Sequence, residues 1–235
     1  VTQFSRRVEP ERLDSLPGGD PAAIQSRRDL QRLNVVMGQP ASIARLLKKH
    51  QAPRGMRRLV DLGGGDGTLL LRVARQLASH CGTMQGVVVD RQILVSAGTR
   101  EEFGRLGWGI EVAAADALEW LVRVPLQEGT VMMANLFLHH FREEPLCAML
   151  AQISARTELF VACEPRRSWL TLRASRLVGW IGCNAVTQYD AAISVRAGFA
   201  GREISTLWPA RDDWDIEEGP IGLFSHFFVA CRRRG

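Results

Sequence analysis

A doubly wound α/β fold, a mostly parallel sheet with helices on both faces, is what this sequence predicts, and three observations carry the prediction. Apolar runs at 57–63, 84–90, 109–115, 130–136 and 158–163 alternate with segments of helical period, the pattern that builds parallel strands joined by crossover helices. The first run, L-V-D-L at 59–62, enters Gly63-Gly64-Gly65-Asp66-Gly67 and leaves as the helical T-L-L-L-R-V-A-R-Q-L. The second and third runs end at acids, Asp90 and Asp116. Open sheets of this kind bind ligands outside the carboxyl ends of their strands, so all three features fall on one working edge.

Taken in order, the first element is P-A-A-I-Q-S-R-R-D-L-Q-R-L-N-V-V-M-G, with Pro21 at its start and Gly38 past its end, which predicts a helix over 21–37. A second helix, A-S-I-A-R-L-L-K-K-H at 41–50, stops at the breaker Gln51 to Gly55. These define an N-terminal helical cap over 1–54 ahead of a main domain over 55–235. Within the cap, Arg28, Asp29, Arg32 and Asn34 recur at helical spacing and are expected to close over a ligand. After the fifth strand, S-W-L-T-L-R-A-S-R-L-V-G-W-I-G-C and N-A-V-T-Q-Y-D-A-A-I-S-V-R-A-G-F form a helical insertion over about 166–198. E-I-S-T-L-W-P and G-L-F-S-H-F-F-V-A-C then read as two closing strands.

A strand that turns through glycines into a helix brings bare backbone against a ligand, because glycine combines positive φ with no Cβ. Counted from Gly63 the loop reads G-x-G-x-G; a dinucleotide fingerprint needs glycine where Thr68 stands, and no G-K-[ST] follows for a terminal phosphate. A nucleoside without phosphates fits better. Asp90 then stands where an acid hydrogen-bonds the ribose hydroxyls.

Over about residues 55–231 the chain resembles the class I S-adenosylmethionine-dependent methyltransferases, on D-L-G-G-G-D-G, on Asp90 closing the second strand, and on Asp116-Ala117 closing the third. The resemblance implies a Rossmann-like seven-stranded sheet completed by an antiparallel hairpin, with S-adenosyl-L-methionine as cofactor and S-adenosyl-L-homocysteine as product. It places Asp61, Gly63, Gly64, Gly65 and Gly67 at the methionine part of the cofactor. Asp90 is placed at the ribose, and Asp116 and Ala117 at the adenine with Arg91 or Gln92 flanking. The fourth strand would deliver Asn135, His139 and His140 beside the transferable methyl group.

The segment L-H-H-F-R-E-E-P-L-C at 138–147 also resembles the histidine turn of plant small-molecule O-methyltransferases, with His140 where that family usually has Asp. This implies His139 as the base for a hydroxyl acceptor and Glu164, in F-V-A-C-E-P, as the acid that orients it; His140 is the second candidate. Trp169, Trp180, Tyr189 and Arg196 are expected to cover a flat or greasy acceptor such as a phenol, quinone or polyketide. The same apolar stripe also suits a core or dimer helix, which leaves a homodimer open.

Composition narrows the classes. The net charge of +5 is spread over scattered arginine pairs without interleaved aromatics, which disfavours nucleic acid as a partner. Asn135-Leu136-Phe137-Leu138 stands where methylation of base amino groups typically shows N-P-P-aromatic. The five cysteines include no C-x-x-C pair and no histidine at zinc spacing, so no metal is expected. No apolar stretch reaches about 18 residues and the polar start lacks a signal-peptide core, so a cytoplasmic protein is expected. An RNA or protein methyltransferase and a non-catalytic binder of the cofactor are the alternatives.

Overall fold

A computed structural model describes residues 4–50, 55–125 and 127–233; Gln51 to Arg54 of the anticipated breaker and Arg234 lie outside them. Seven strands, β1 (Arg58–Leu62), β2 (Met84–Asp90), β3 (Trp108–Ala114), β4 (Thr130–Asn135), β5 (Leu159–Pro165), β6 (Trp214–Ile221) and β7 (Ser225–Arg232), form one sheet in the order β3-β2-β1-β4-β5-β7-β6. β1 to β5 pair in parallel, and β7 runs antiparallel to both β5 and β6. The strand order reverses between β1 and β4, so a crevice opens at the carboxyl ends of these two strands.

Side chains that alternate along each strand sort onto the two faces. Leu59, Val88, Met133, Val161 and Val229 face one layer, α3 (Gln39–Lys49), α4 (Thr68–Leu77) and α5 (Ala97–Arg105), meeting Ile43, Leu47, Leu70, Leu77 and Phe103. Val60, Val87, Met132, Phe160 and Phe228 face the other layer, α6 (Ala117–Arg123), α7 (Glu143–Ser154) and α10 (Glu203–Leu207), meeting Leu121, Leu146, Leu150 and Ile204. Every residue of β1, β4 and β5 is buried. That explains why these strands read as unbroken apolar runs and not as alternating ones.

Four further helices build one wall of the crevice: α1 (Arg12–Ser15), α2 (Pro21–Val36), α8 (Trp169–Ser175) and α9 (Ala185–Ala197). Asp20 caps α2 through the Ala22 amide at 2.7 Å, with Pro21 in the first turn. The closing strands need a correction. E-I-S-T-L-W-P is α10 and the turn after it: Ile204 and Trp208, four residues apart, point into the core, and the Glu218 carboxylate accepts the Ile204 and Ser205 amides. The sixth strand is W-D-I-E-E-G-P-I, whose Gly219 and Pro220 disguise it. Proline is tolerated there because β6 lies at the sheet edge, where one side of the backbone needs no partner strand. Among the described residues no helix is long and apolar enough to cross a membrane.

Candidate active site

The glycine loop leaves β1 directly into the crevice. Gly63 has φ 71°, and a Cβ added to it would stand 2.2 Å from a ring carbon of Phe137. The aromatic ring therefore rests on bare backbone, which ties the loop after β1 to the turn after β4. Gly65, with φ 55°, has nothing within 4 Å of where its Cβ would be and borders the cavity. At the end of β2, Asp90 accepts the Gly65 amide at 3.0 Å and the Gln92 amide at 2.9 Å. Asp116 caps α6 through the Leu118 amide at 2.9 Å and pairs with Arg91 at 2.6 Å. Burial alone would raise its carboxyl; the Arg91 hydrogen bond and the two amides outweigh burial and hold it below the usual range.

Two buried oxygens on this side, Asp61 Oδ2 and Asn135 Oδ1, have no hydrogen-bond partner among the described residues. Burial, with the charges of Asp90 and Asp66 adding to it, raises the Asp61 carboxyl well above its ordinary value. Asp61, Gly63, Gly64, Gly65, Asp90, Arg91, Asp116, Ala117 and Asn135 all border one cavity of about 960 Å³. That volume is near the upper end for small-molecule sites and leaves room for two substrates side by side. Gly67 does not border it; that residue opens α4 and packs near Val88 and Val95.

On the opposite side, β4 is followed by Leu136, whose φ of 51° is left-handed for a residue with a side chain and whose amide is held by the Cys163 carbonyl at 2.9 Å. Such a conformation costs about 1–3 kcal/mol and persists only where its surroundings impose it. It throws the chain into a short 3₁₀ turn, Leu138–His140. Glu164, wholly buried near the end of β5, accepts the Phe137 amide at 3.1 Å and the Leu138 amide at 2.8 Å, and its other oxygen lies 2.8 Å from His139 Nδ1. Accepting all three, this carboxylate fixes the imidazole, with Nδ1–H donating and Nε2 turned to the cavity.

Nε2 meets a residue the sequence did not single out. Glu11 Oε1 lies 3.2 Å from it and also accepts the Ser194 hydroxyl. Burial alone would lower the His139 pKa, but its bonds to Glu11 and Glu164 and their charges raise it to about 9. Burial likewise opposes the Glu11 charge; the bond and charge of His139, with His140 and Ser194, hold that carboxyl at about 2. His140 stacks obliquely on His139 with ring centroids 4.3 Å apart, and its Nδ1 lies 3.2 Å from Asp14.

Glu11 arrives on a strap of chain at 8–14 that crosses the cavity mouth. The Asp190 carboxylate on α9 accepts the Arg12 amide at 2.8 Å and the Leu13 amide at 3.0 Å, so one acid serves as cap of α1 and anchor of the strap. The Arg12 guanidinium lies over the Tyr189 ring at 3.7 Å. Arg6, further up the strap, donates to the carbonyls of Ala197 at 2.7 Å and Phe141 at 2.9 Å. Neither Glu11 nor Ser194 has a signal in the sequence. Glu11 sits in a charged stretch, R-R-V-E-P-E-R, and Ser194 in the middle of a helix.

The expected acceptor cover needs revision. Trp169, Trp180, Tyr189 and Arg196 do not border the cavity. Trp180 is 89% exposed, Trp169 packs on Phe4, and Tyr189 is taken up by Arg12. Within the same insertion the opposite helix faces turn inward, bringing Thr171, Val178, Ile181, Ala191 and Val195 to the wall. In α2 the phase is also offset. Arg27, Gln31 and Asn34 border the cavity, whereas Asp29 is fully buried against α9, accepting the Asn184 amide at 2.7 Å and the Thr187 hydroxyl at 3.1 Å.

The sheet order, the reversed seventh strand and the loop after β1 make this the fold of the S-adenosylmethionine-dependent methyltransferases. No family model and no curated protein matches the chain by sequence. Among solved structures it is similar to the plantazolicin methyltransferase BamL in complex with a desmethyl analog and SAH, with TM-score 0.64 and 12% identity over 92% of this chain and 93% of that one. The mitomycin 7-O-methyltransferase MmcR gives TM-score 0.59 and 16% identity over 94% of this chain and 60% of its own. The N,N-8-amino-8-demethyl-D-riboflavin dimethyltransferase RosA from Streptomyces davawensis gives TM-score 0.59 and 17% identity over 95% and 62%. The chain thus spans 93% of the first and about three fifths of the other two.

Proposed function

We propose that the protein is an S-adenosyl-L-methionine-dependent methyltransferase that delivers a methyl group to an oxygen of a small aromatic or polyketide-like acceptor. The observation that carries this reading is that His139, backed by the buried Glu164, and the glycine loop with Asp90 border one cavity. A proton acceptor and a nucleoside cradle therefore share one space.

The residues present fit the cofactor. Asp61 Oδ2 and Asn135 Oδ1 are buried acceptors without a donor, which suits the ammonium of an amino-acid part, and Gly65 offers open backbone. Gly63, Gly64 and Gly65 would hold the methionine portion, Asp90 the ribose hydroxyls, and Asp116 and Ala117 the adenine, with Arg91 alongside. When bound, the cofactor supplies a methyl group on a sulfonium, already a good leaving group. Alignment and proton removal are what remain for the protein.

In this reading acceptor binding displaces Glu11 from His139, the imidazolium then loses its Nε2 proton to solvent, and the neutral Nε2 takes the proton of the acceptor hydroxyl. Glu164 keeps Nδ1–H oriented and stabilises the imidazolium that forms. His140 lies beside His139 and is the second candidate for the proton. The apolar wall of Leu33, Phe137, Val178 and Val195 favours a flat, greasy acceptor over a charged polymer. The segment 1–54 serves as cap over this space, and 166–198 as its acceptor-side cover.

Calorimetric titration with S-adenosyl-L-methionine and S-adenosyl-L-homocysteine, followed by a mass-spectrometric screen of phenols, quinones and polyketide-like acceptors, tests the reading. Binding of both, weakened by Asp90→Ala, and a methyl-sized mass gain on one acceptor class are expected. Failure of both cofactor forms to bind would sink it. A gain on nitrogen, as RosA's name describes for its own substrate, would move the acceptor atom.

A further inference from the structure

We propose that Glu11, His139 and His140 form a site for one divalent transition-metal cation, with its open coordination position facing the cavity. A carboxylate oxygen of Glu11 and one ring nitrogen from each histidine lie within 4.8 Å of one another. Glu11 Oε1 is 3.2 Å from His139 Nε2, and Glu11 Oε2 is 4.0 Å from His140 Nε2. Ligands held about 2.0–2.2 Å from a zinc ion in a tetrahedral shell stand roughly 3–4 Å from each other, so small side-chain adjustments complete the set.

The orientation of the two imidazoles is the stronger argument. His139 has its Nδ1 2.8 Å from Glu164, and His140 has its Nδ1 3.2 Å from Asp14. Each ring is thus backed by its own carboxylate on one nitrogen and presents the other toward Glu11. Metal-binding histidines are held in this way, because the backing acid fixes the tautomer and raises the basicity of the ligating nitrogen. Two nitrogens and one carboxylate favour a transition metal over magnesium or calcium, which prefer all-oxygen shells. All three residues border the cavity, so the remaining coordination position opens onto it. Three protein ligands with one open position is the arrangement of catalytic and not of structural zinc.

Cation binding releases any Nε2 protons to solvent, since the imidazoles ligate in their neutral form. It ties the strap to the turn after β4. Resting on the methyl-transfer reading, it also occupies the Nε2 lone pair that an acceptor hydroxyl needs, so the loaded protein turns over more slowly.

The test uses chelator-treated full chain titrated with zinc chloride against a chromophoric chelator, with cobalt absorption as a second signal. One equivalent of zinc is expected, with binding weakened at least 10-fold in Glu11→Gln and in His140→Ala and about 10–100-fold in Asp14→Asn. Asp14 is mostly exposed, so its substitution leaves the fold intact. No stoichiometric binding, or equal affinity in all three variants as cysteine ligation would give, overturns the site. Zinc should also lower methyl transfer and chelator restore it; undiminished transfer by the loaded protein overturns the silencing. Zinc bound through these residues in a protein that methylates no acceptor upholds the site and refutes the methyl-transfer reading instead.

Discussion

The two sides of the cavity are built by different means. On the glycine-loop side, the loop after β1 and the acids ending β2 and after β3 lie on consecutive crossover units, and backbone does most of the work: amides of Gly65 and Gln92 on Asp90, and of Leu118 on Asp116. On the strap side, Glu11, His139 and Glu164 come from three separate stretches and Asp190 with Ser194 from a fourth, α9, and they meet largely through side chains. A backbone-built site depends on local conformation and survives many changes around it. A side-chain-built site depends on the packing of distant elements, so each of its members can be removed singly with a specific effect.

That contrast can be broken or sharpened by experiment. The largest expected effect is on turnover: His139→Ala lowers kcat by about 10²–10⁴ while cofactor affinity, read by calorimetry, stays unchanged. Equal loss of both would mean that the two sides are not separable. Next comes Gly63→Ala, which drives a Cβ into Phe137. It should destabilise the fold by about 1–3 kcal/mol in denaturant melts and weaken cofactor binding, and Phe137→Ala in the same chain should recover part of both.

Asp190→Ala removes the acceptor of two strap amides, worth about 1.5–3 kcal/mol for bonds to a charged group. Limited proteolysis should then cut within 8–14 about 10–100-fold faster. An unchanged rate would show that Arg6 and the contacts of Glu11 suffice to anchor the strap.

The pH dependence of the same cleavage follows from two shifts. His139 is raised to about 9 from 6.5, so its contribution to strap docking is present below 6.5 and lost as pH climbs to 9. Glu11 is lowered to about 2 from 4.5, so its contribution is present above 4.5 and lost on acidification toward 2. Strap protection in chelator-treated protein should be greatest between about 4.5 and 6.5. A flat profile from 6 to 10 would break the assignment of His139 and Glu11 as the coupled pair. The smallest effect is Arg91→Ala. Its pair with Asp116 is exposed and should contribute no more than about 1 kcal/mol to stability.

What was legible in the sequence follows the same division. The glycine loop, Asp90 and Asp116 could be read because glycine conformation and strand-end acids are local properties. His139 and Glu164 could be read because each sits within a few residues of a strand end. α10 reads as a strand in the sequence because five residues are too short for a helical period to declare itself, and its cap, Glu218, comes from β6. β6 was missed because an edge strand can carry Gly219 and Pro220. The tryptophans of the insertion were assigned to the wall because apolar character alone does not fix helix phase; Trp169 and Trp180 face outward. Glu11 was invisible because its meaning depends on a partner 128 residues away.

That separation sets an order of assembly. The strap near the amino terminus joins the molecule through Asp190, Ser194 and Ala197, at separations of 178, 183 and 191 residues. A growing chain therefore carries residues 8–14 with only the His139 contact of Glu11 within reach until α9 has emerged, after the first five strands have been made. Closing a loop of that length has a large entropic cost that only the completed scaffold can offset. The glycine-loop side can form early from nearby segments, while the strap side closes last, so a truncation after β5 would retain the residues of the former and leave the strap loose.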